Sequence, residues 1–114
     1  MSNSSPIKSP RFYLTRIFGD TVNVKVIEIL LKNLIEEQKS EQIFWKNFSD
    51  ISKEAKVAKS SGKRILDSLI DSGFIEEKKI ITHAQSPPRF IRLNANHPAI
   101  SDLLFFFKKV RGFL

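Results

Sequence analysis

Residues 48–94 carry the pattern that most restricts how this chain can fold. Ser49 suits a helix N-cap, and Ile51 and Ala55 recur four residues apart as an apolar stripe on one helix face. A second apolar pattern with helical spacing starts near Lys59 after only a few residues. The stretch therefore predicts a short helix, a tight turn and a longer second helix.

The second helix is expected to divide into a buried face and a solvent face. At about 100° per residue, its solvent face begins with basic and hydroxyl side chains and ends with carboxylates. The predicted buried residues are Gly62, Ile65, Leu66, Leu69 and Ile70. The predicted solvent face contains Ser60, Arg64, Asp67 and Asp71, flanked by Ser61 and Lys63.

A basic hairpin is predicted after this helix. Gly73 stands where a helix end needs a left-handed residue, and residues 74–82 are rich in strand-forming side chains. Pro87 and Pro88 cannot donate ladder hydrogen bonds, so they belong in the connection, and residues 89–94 return as the partner strand. The return strand should place Phe90 and Arg92 on one side and Ile91 and Leu93 on the other. Two helices followed by such a hairpin are typical of a winged helix-turn-helix.

A long helix is predicted before this unit, capped by Asp20 or Thr21 and ending near residues 36–39. Residues 11–18 should form a short helical turn, residues 36–42 a polar loop, and residues 43–45 an edge strand that pairs with the hairpin. Trp45 is expected to pack against neighbouring apolar side chains.

The long helix is apolar on two sides, which indicates burial on both. Its main stripe is Val24, Ile27, Leu30, Leu31, Leu34 and Ile35, and its second stripe is Val22, Val26 and Ile29.

A terminal helix should begin at Pro98, capped by Asn96 or His97. Three consecutive phenylalanines give it more apolar surface than one face can bury, which indicates an interaction site. A membrane-surface helix is the alternative, because basic residues follow, but the polar face is sparse for an interfacial anchor. Its predicted inner face is Ile100, Leu103, Leu104, Phe107 and Val110. The predicted twofold dimer interface consists of Val22, Val26, Ile29, Leu103, Phe105, Phe106, Phe107 and Val110.

Size and charge restrict the class of protein further. The 114 residues suit one small domain, and the net charge of +7 favours a polyanionic partner. We expect residues 1–10 to be a flexible arm, residues 11–96 the winged helix-turn-helix, and residues 97–114 a dimerisation helix packed on it.

No run is apolar enough to span a bilayer, and no secretory segment is recognisable, so a cytoplasmic, nucleoid-associated protein is expected.

The sequence gives little support for a catalytic site or a metal-binding site. The chain has no cysteine, and its two histidines, His83 and His97, have no partners at ligand spacing. The acidic pairs at residues 36–37 and 76–77 are consecutive, so their side chains point in different directions. We expect no enzyme activity, no metal and no cofactor, and no residue set identifies a small-molecule effector.

The basic residues around the second helix and the hairpin carry the functional hypothesis. Arginine can bind guanine through two hydrogen bonds, and lysine and serine can bind phosphate. The plain alternative is that Asp67 pairs with Lys63 or Arg64 and leaves an ordinary charged surface. The predicted contacts to double-stranded DNA are Lys53, Lys56, Lys59, Ser60, Ser61, Lys63, Arg64, Lys78, Lys79, Arg89 and Arg92.

Three segments, FSDISKEAKV, KSSGKRILDSLIDSGFI and RFIRLN followed by NHP, resemble archaeal and bacterial winged-helix transcriptional regulators of the arsenical-repressor-like and multiple-antibiotic-resistance-like kind. The resemblance extends from about Phe18 to the C-terminus. It implies a homodimer that binds operator DNA through the front of the second helix. The absence of cysteine excludes the thiolate metal sensing known in some of these regulators.

Three hypotheses follow. The first is a homodimeric transcriptional regulator with the recognition helix in the major groove and the basic wing at residues 75–94 on the adjacent backbone. The second is an architectural or replication-associated DNA-binding protein with little sequence preference, for which a steep salt dependence is expected. The third is a winged-helix interaction module that joins a larger assembly through its phenylalanine-rich helix without contacting DNA.

Overall fold

The computed structural model describes residues 12–78, 80, 83 and 87–113. The predicted class, α+β and mostly helical, is confirmed. The predicted arm at residues 1–10 and the predicted contact Lys79 lie outside the described residues. The helices are α1 (Thr15–Phe18), α2 (Val22–Ser40), α3 (Phe48–Ala55), α4 (Lys59–Asp71) and α5 (Pro98–Phe113), and the strands are β1 (Lys46–Asn47), β2 (Ile75–Lys78) and β3 (Phe90–Leu93).

The three strands form one antiparallel sheet in the order β1-β3-β2. The predicted alternation along β3 is confirmed, because Ile91 and Leu93 are fully buried whereas Phe90 and Arg92 are half-buried. The edge strand pairs with β3 as predicted but begins at Lys46, after residues 43–45. The physical reason lies at Phe44, whose amide donates to Glu37 and whose carbonyl accepts from Asn33. Side chains of α2 therefore occupy the backbone groups that a longer strand would use.

Helix α2 is longer than its apolar stripe predicts. The Thr21 hydroxyl accepts from the Val24 amide at its start, which agrees with one of the two predicted caps. The helix continues through Ser40 and ends at Glu41, which is left-handed at φ 59°, so the predicted loop at residues 36–42 is wrong over its first five positions. Glu37 is buried against the sheet, and this tertiary contact keeps the last turns helical.

Helices α3 and α4 approach each other closely. Asn47 caps α3 by accepting from the Ser49 amide at 2.8 Å, so the predicted cap at Ser49 is wrong by two positions. A Cβ atom at Gly62 would lie 3.2 Å from Cζ of Phe48, so the glycine permits the close crossing that sets the direction of α4. Gly73 is left-handed at φ 85°, as predicted, and turns the chain from α4 into β2.

Part of the predicted dimer interface lies inside the chain's own core. Val26 and Ile29 are each 3% exposed and Phe107 is fully buried, so these three residues cannot contact another subunit. Val26 and Ile29 belong to one hydrophobic cluster with buried residues of α3, α4, both longer strands and α5. Val22, Leu103 and Val110 are half-buried. Phe105 and Phe106 remain exposed at 62% and 39%.

A buried carboxylate that the sequence did not single out anchors the segment before α1. Both oxygens of Glu28, which is fully buried, accept hydrogen bonds from the backbone amides of Tyr13 and Leu14, at 2.7 Å each. Lys32 lies 3.6 Å from the same carboxylate. Charged acceptors of this kind stabilise more than neutral ones. Glu28 therefore holds residues 12–18 against α2.

Replacing Glu28 with Gln should destabilise the fold. The amide keeps the size of the side chain but presents one oxygen and one NH₂ group, so one backbone donor loses its acceptor. We expect the free energy of unfolding to fall by about 1.5–3 kcal/mol, measured by urea denaturation. Glu36→Gln is the matched control, since Glu36 is exposed on the same helix and its carboxylate lies 3.8 Å from the exposed ammonium of Lys39. Equal effects of the two substitutions would contradict the assigned role of Glu28.

Candidate nucleic-acid interface

The first two turns of α4 present a cationic, hydroxyl-bearing surface. Ala58 precedes the helix and offers no side-chain cap, so the first backbone amides have no side-chain acceptor. Gly62 and Leu66 face the core, and this fixes which residues point outward. All five side chains at the outward positions are exposed. We call this set the α4 front: Lys59, Ser60, Ser61, Lys63 and Arg64.

The cations of the α4 front have no carboxylate partners among residues 12–78, 80, 83 and 87–113. The alternative in which Asp67 pairs with Lys63 or Arg64 is wrong, because the Asp67 carboxylate accepts from Arg89 at 3.0 Å. Lys63 and Arg64 therefore keep their charge available to an external anion. This availability is the main electrostatic feature of the surface.

Arg89 joins β3 to α4 and β2. Its guanidinium donates to both oxygens of Glu77, at 2.8 and 3.0 Å, and to Asp67 at 3.0 Å. The hydrogen bond with Glu77 is the largest cause that raises the pKa of Arg89 above its ordinary value. Arg89 thus connects β3 to both β2 and α4, whereas the sequence predicted a DNA contact.

Arg92 is similarly engaged with protein carboxylates. It lies between Glu37 and Glu76, donating to the latter at 3.0 Å, and its side chain is only 14% exposed. The hydrogen bond with Glu37 is the main cause that raises the pKa of Arg92. The guanidinium also lies 5.7 Å from the Trp45 ring centroid, which agrees with the packing role expected for that ring. The structure does not bring Arg92 to the α4 front.

A cleft of about 360 Å³ opens beside the α4 front. Its far wall is held in place, because the Phe48 amide donates to the Arg89 carbonyl at 2.8 Å. The lining combines cations and hydroxyls with apolar side chains: Phe48, Ser49, Lys59, Ser60, Lys63, Pro87, Pro88 and Arg89. The sequence placed the two prolines in a connection and Ser49 at a helix start, but gave no sign that they share a surface with α4.

The remaining predicted contacts in the described residues are exposed on other elements. Lys53 is exposed on α3, and Lys56 is exposed at the turn into α4, where it adopts a left-handed conformation at φ 56°. Lys78 is exposed at the end of β2. These three side chains are therefore accessible to solvent, as a contact to a partner requires.

The histidines have no ligand-like arrangement within the described part of the chain. Nδ1 of His97 accepts from the Ala99 amide at 3.1 Å, and its ring packs edge-on against Phe74. His83 is exposed. No cluster of three or more potential metal ligands occurs among the described residues.

None of the helices in the described residues is both long and apolar enough to cross a bilayer. No family model, curated protein or solved structure matches the chain in the comparisons with known proteins.

Proposed function

We propose that the protein is a winged-helix DNA-binding regulator in which the α4 front enters the major groove. The observation that carries the proposal concerns Lys59, Lys63 and Arg64. None of these three cations pairs with a carboxylate within the described part of the chain. Arg89 pairs with Asp67 on α4 and with Glu77 on β2, so these two carboxylates are engaged by a residue outside the α4 front. The positive charge of the α4 front is then directed outward, where it can replace the counterions of a nucleic acid.

The hairpin supports the same orientation. β2 and β3 follow α4 directly, and Arg89 ties them to it, so α4 and the hairpin present one continuous surface. In a winged helix, the second helix of the pair enters the groove and the hairpin lies over the neighbouring backbone. We assign the backbone contact to Lys78 and to the part of the cleft formed by Pro87 and Pro88, and leave Arg89 and Arg92 with structural roles.

The residues of the α4 front divide into two kinds of contact. Lysines and serines mostly position a protein on phosphates, whereas Arg64 can bind guanine through two hydrogen bonds. Arg64, with its planar guanidinium, is therefore the residue of the α4 front best suited to strong base recognition. Because most of these residues suit phosphate contacts, a second candidate function is a DNA-binding protein with little sequence preference. It is the alternative to the operator-specific regulator.

A competition experiment separates these two candidates. A labelled duplex bound at moderate salt is challenged with duplexes selected from a random pool and with unselected duplexes. For a regulator, selected duplexes should compete about 10³-fold better or more. Equal competition would assign the tolerant function, and no binding of either duplex would refute DNA binding altogether.

We further propose that the protein acts as a homodimer through its exposed aromatic residues. The rings of Phe18 and Phe106 lie 6.1 Å apart between α1 and α5, flanked by Ile17 and Phe105. These four side chains are between 39% and 62% exposed. A twofold contact lets such a patch cover itself. Binding to successive turns of DNA requires two α4 fronts about 34 Å apart, which a dimer can supply. We call these four residues the aromatic patch.

The Phe18→Asp/Phe106→Asp variant should be a folded monomer. Two charges in the centre of a self-complementary apolar contact would be buried without partners, whereas in the monomer they remain exposed. Sedimentation equilibrium should give the mass of a dimer for the wild type and of a monomer for the variant. Ile43→Asp is the matched control, because Ile43 is 64% exposed away from the patch. A wild-type protein that is monomeric at assay concentrations would contradict the dimer.

A further inference from the structure

A second positively charged concavity lies between the C-terminal halves of α2 and α5. We call it the α2–α5 groove. Its volume is about 600 Å³, within the range of clefts that hold metabolite-sized ligands. The residues that line it are Tyr13, Ile35, Gln38, Lys39, Lys108, Arg111 and Gly112. Three of these seven carry cationic side chains and none carries a carboxylate.

The cations of the groove are held in position by neighbouring groups. Nζ of Lys108 donates to Oε1 of Gln38 across the two helices at 2.9 Å. The Arg111 guanidinium stacks 5.4 Å from the Phe107 ring centroid. Lys39 has one acidic neighbour, Glu36, at 3.8 Å, and both side chains are more than 60% exposed, so the pair is weak. Cations in the last turns of helices offset the helix dipoles, but a concavity with three cations and no lining carboxylate retains an excess of positive charge.

The floor of the groove is apolar and aromatic. The Tyr13 ring packs edge-on against Phe107 at 6.5 Å, and Glu28 fixes the Tyr13 backbone amide. Ile35 is 7% exposed beside it. The Tyr13 hydroxyl has no hydrogen-bond partner among the described residues. A ligand with a flat apolar part and an anionic group matches this combination of floor and rim.

We propose that the α2–α5 groove binds a small phosphorylated ligand of nucleotide size. Its phosphates contact Lys39, Lys108 and Arg111, and its flat ring lies on Tyr13 and Ile35. Arginine and lysine bind phosphate oxygens through charge-assisted hydrogen bonds. None of these residues belongs to the α4 front, so the site is separate from the proposed DNA surface and does not depend on it.

The test measures binding of two probes, adenosine diphosphate and inorganic diphosphate, by isothermal titration calorimetry. Because the α4 front can also attract polyanions, the same titration is made with the Lys59→Glu/Lys63→Glu variant. We expect saturable binding with a Kd below about 1 mM in both proteins. Loss of binding in that variant would assign it to the α4 front and overturn the proposal.

Substitutions within the groove localise the site. Lys108→Gln/Arg111→Gln should weaken both probes by about tenfold or more, since two charge-assisted contacts are lost. Lys109→Gln is compared with Lys108→Gln alone as its matched control, because each removes one positive charge from the same helix turn and Lys109 does not line the groove. Tyr13→Leu should weaken the nucleotide and leave inorganic diphosphate unchanged. Absence of saturable binding, or equal loss with Lys109→Gln, would overturn the proposal.

Discussion

Reversing two charges of the α4 front should nearly abolish DNA binding. In the Lys59→Glu/Lys63→Glu variant, two phosphate contacts become repulsive, and we expect the affinity for duplex DNA to fall by about two orders of magnitude. The slope of log affinity against log salt should also become shallower by about two, one for each lost contact. Glutamate in the first turns of a helix is favourable to the helix dipole, so the fold should persist.

The matched control is Lys39→Glu/Lys108→Glu, which changes the net charge by the same amount away from α4. Fluorescence anisotropy with a labelled duplex measures both variants, and thermal denaturation checks that each is folded. The control should bind with nearly the affinity of the wild type, since long-range charge is screened at physiological salt. Equal losses in both variants would mean that only the overall charge matters and would contradict a defined DNA surface.

Arg92→Met should cause the largest loss of stability among the single substitutions considered. It leaves the Glu37 carboxylate, 7% exposed, without a cation partner in the described structure. Removing one member of a buried ion pair costs about 3–5 kcal/mol, because the remaining charge is desolvated and unpaired. Trp45, the only tryptophan, lies near Arg92, so its fluorescence can follow urea denaturation.

A double-mutant cycle separates the ion pair from other effects of the substitution. Glu37→Gln keeps an acceptor for the Phe44 amide, which donates to Glu37 at 3.1 Å, while removing the charge. The Glu37→Gln/Arg92→Met variant should be more stable than Arg92→Met alone, because no unpaired buried charge remains. If Arg92→Met instead weakened DNA binding without lowering stability, the sequence-based assignment of Arg92 to the DNA surface would be correct.

Local patterns were sufficient to predict the order of the main elements. The apolar spacing in α2, α4 and α5, the left-handed Gly73 and the alternation along β3 depend on neighbouring residues, so they can be interpreted without tertiary contacts. Errors occur where a distant side chain decides the outcome. Glu37 extends α2 and, together with Asn33, delays β1 through backbone groups of Phe44.

Two features, the partners of Arg89 and Arg92 and the burial of the α5 phenylalanines, can be established only from three-dimensional contacts. The sequence shows Arg89 and Arg92 as surface cations in a basic strand, but their partners Asp67 and Glu37 are 22 and 55 positions away. Such pairs cannot be identified from spacing along a helix or strand. Likewise, α5 places Phe107 in the core and Phe106 outside, and only the packing of α5 against α1 and α2 decides how much of each ring is covered.

The central claim, that the α4 front is the surface that meets DNA, is tested most directly by mapping amide shifts in a ¹⁵N-labelled protein titrated with a short duplex. We predict that the largest shifts fall on residues 47–49 and 56–64, with smaller ones at Lys78 and Arg89. Shifts concentrated in α5 and the end of α2, with the α4 front unchanged, would contradict the claim.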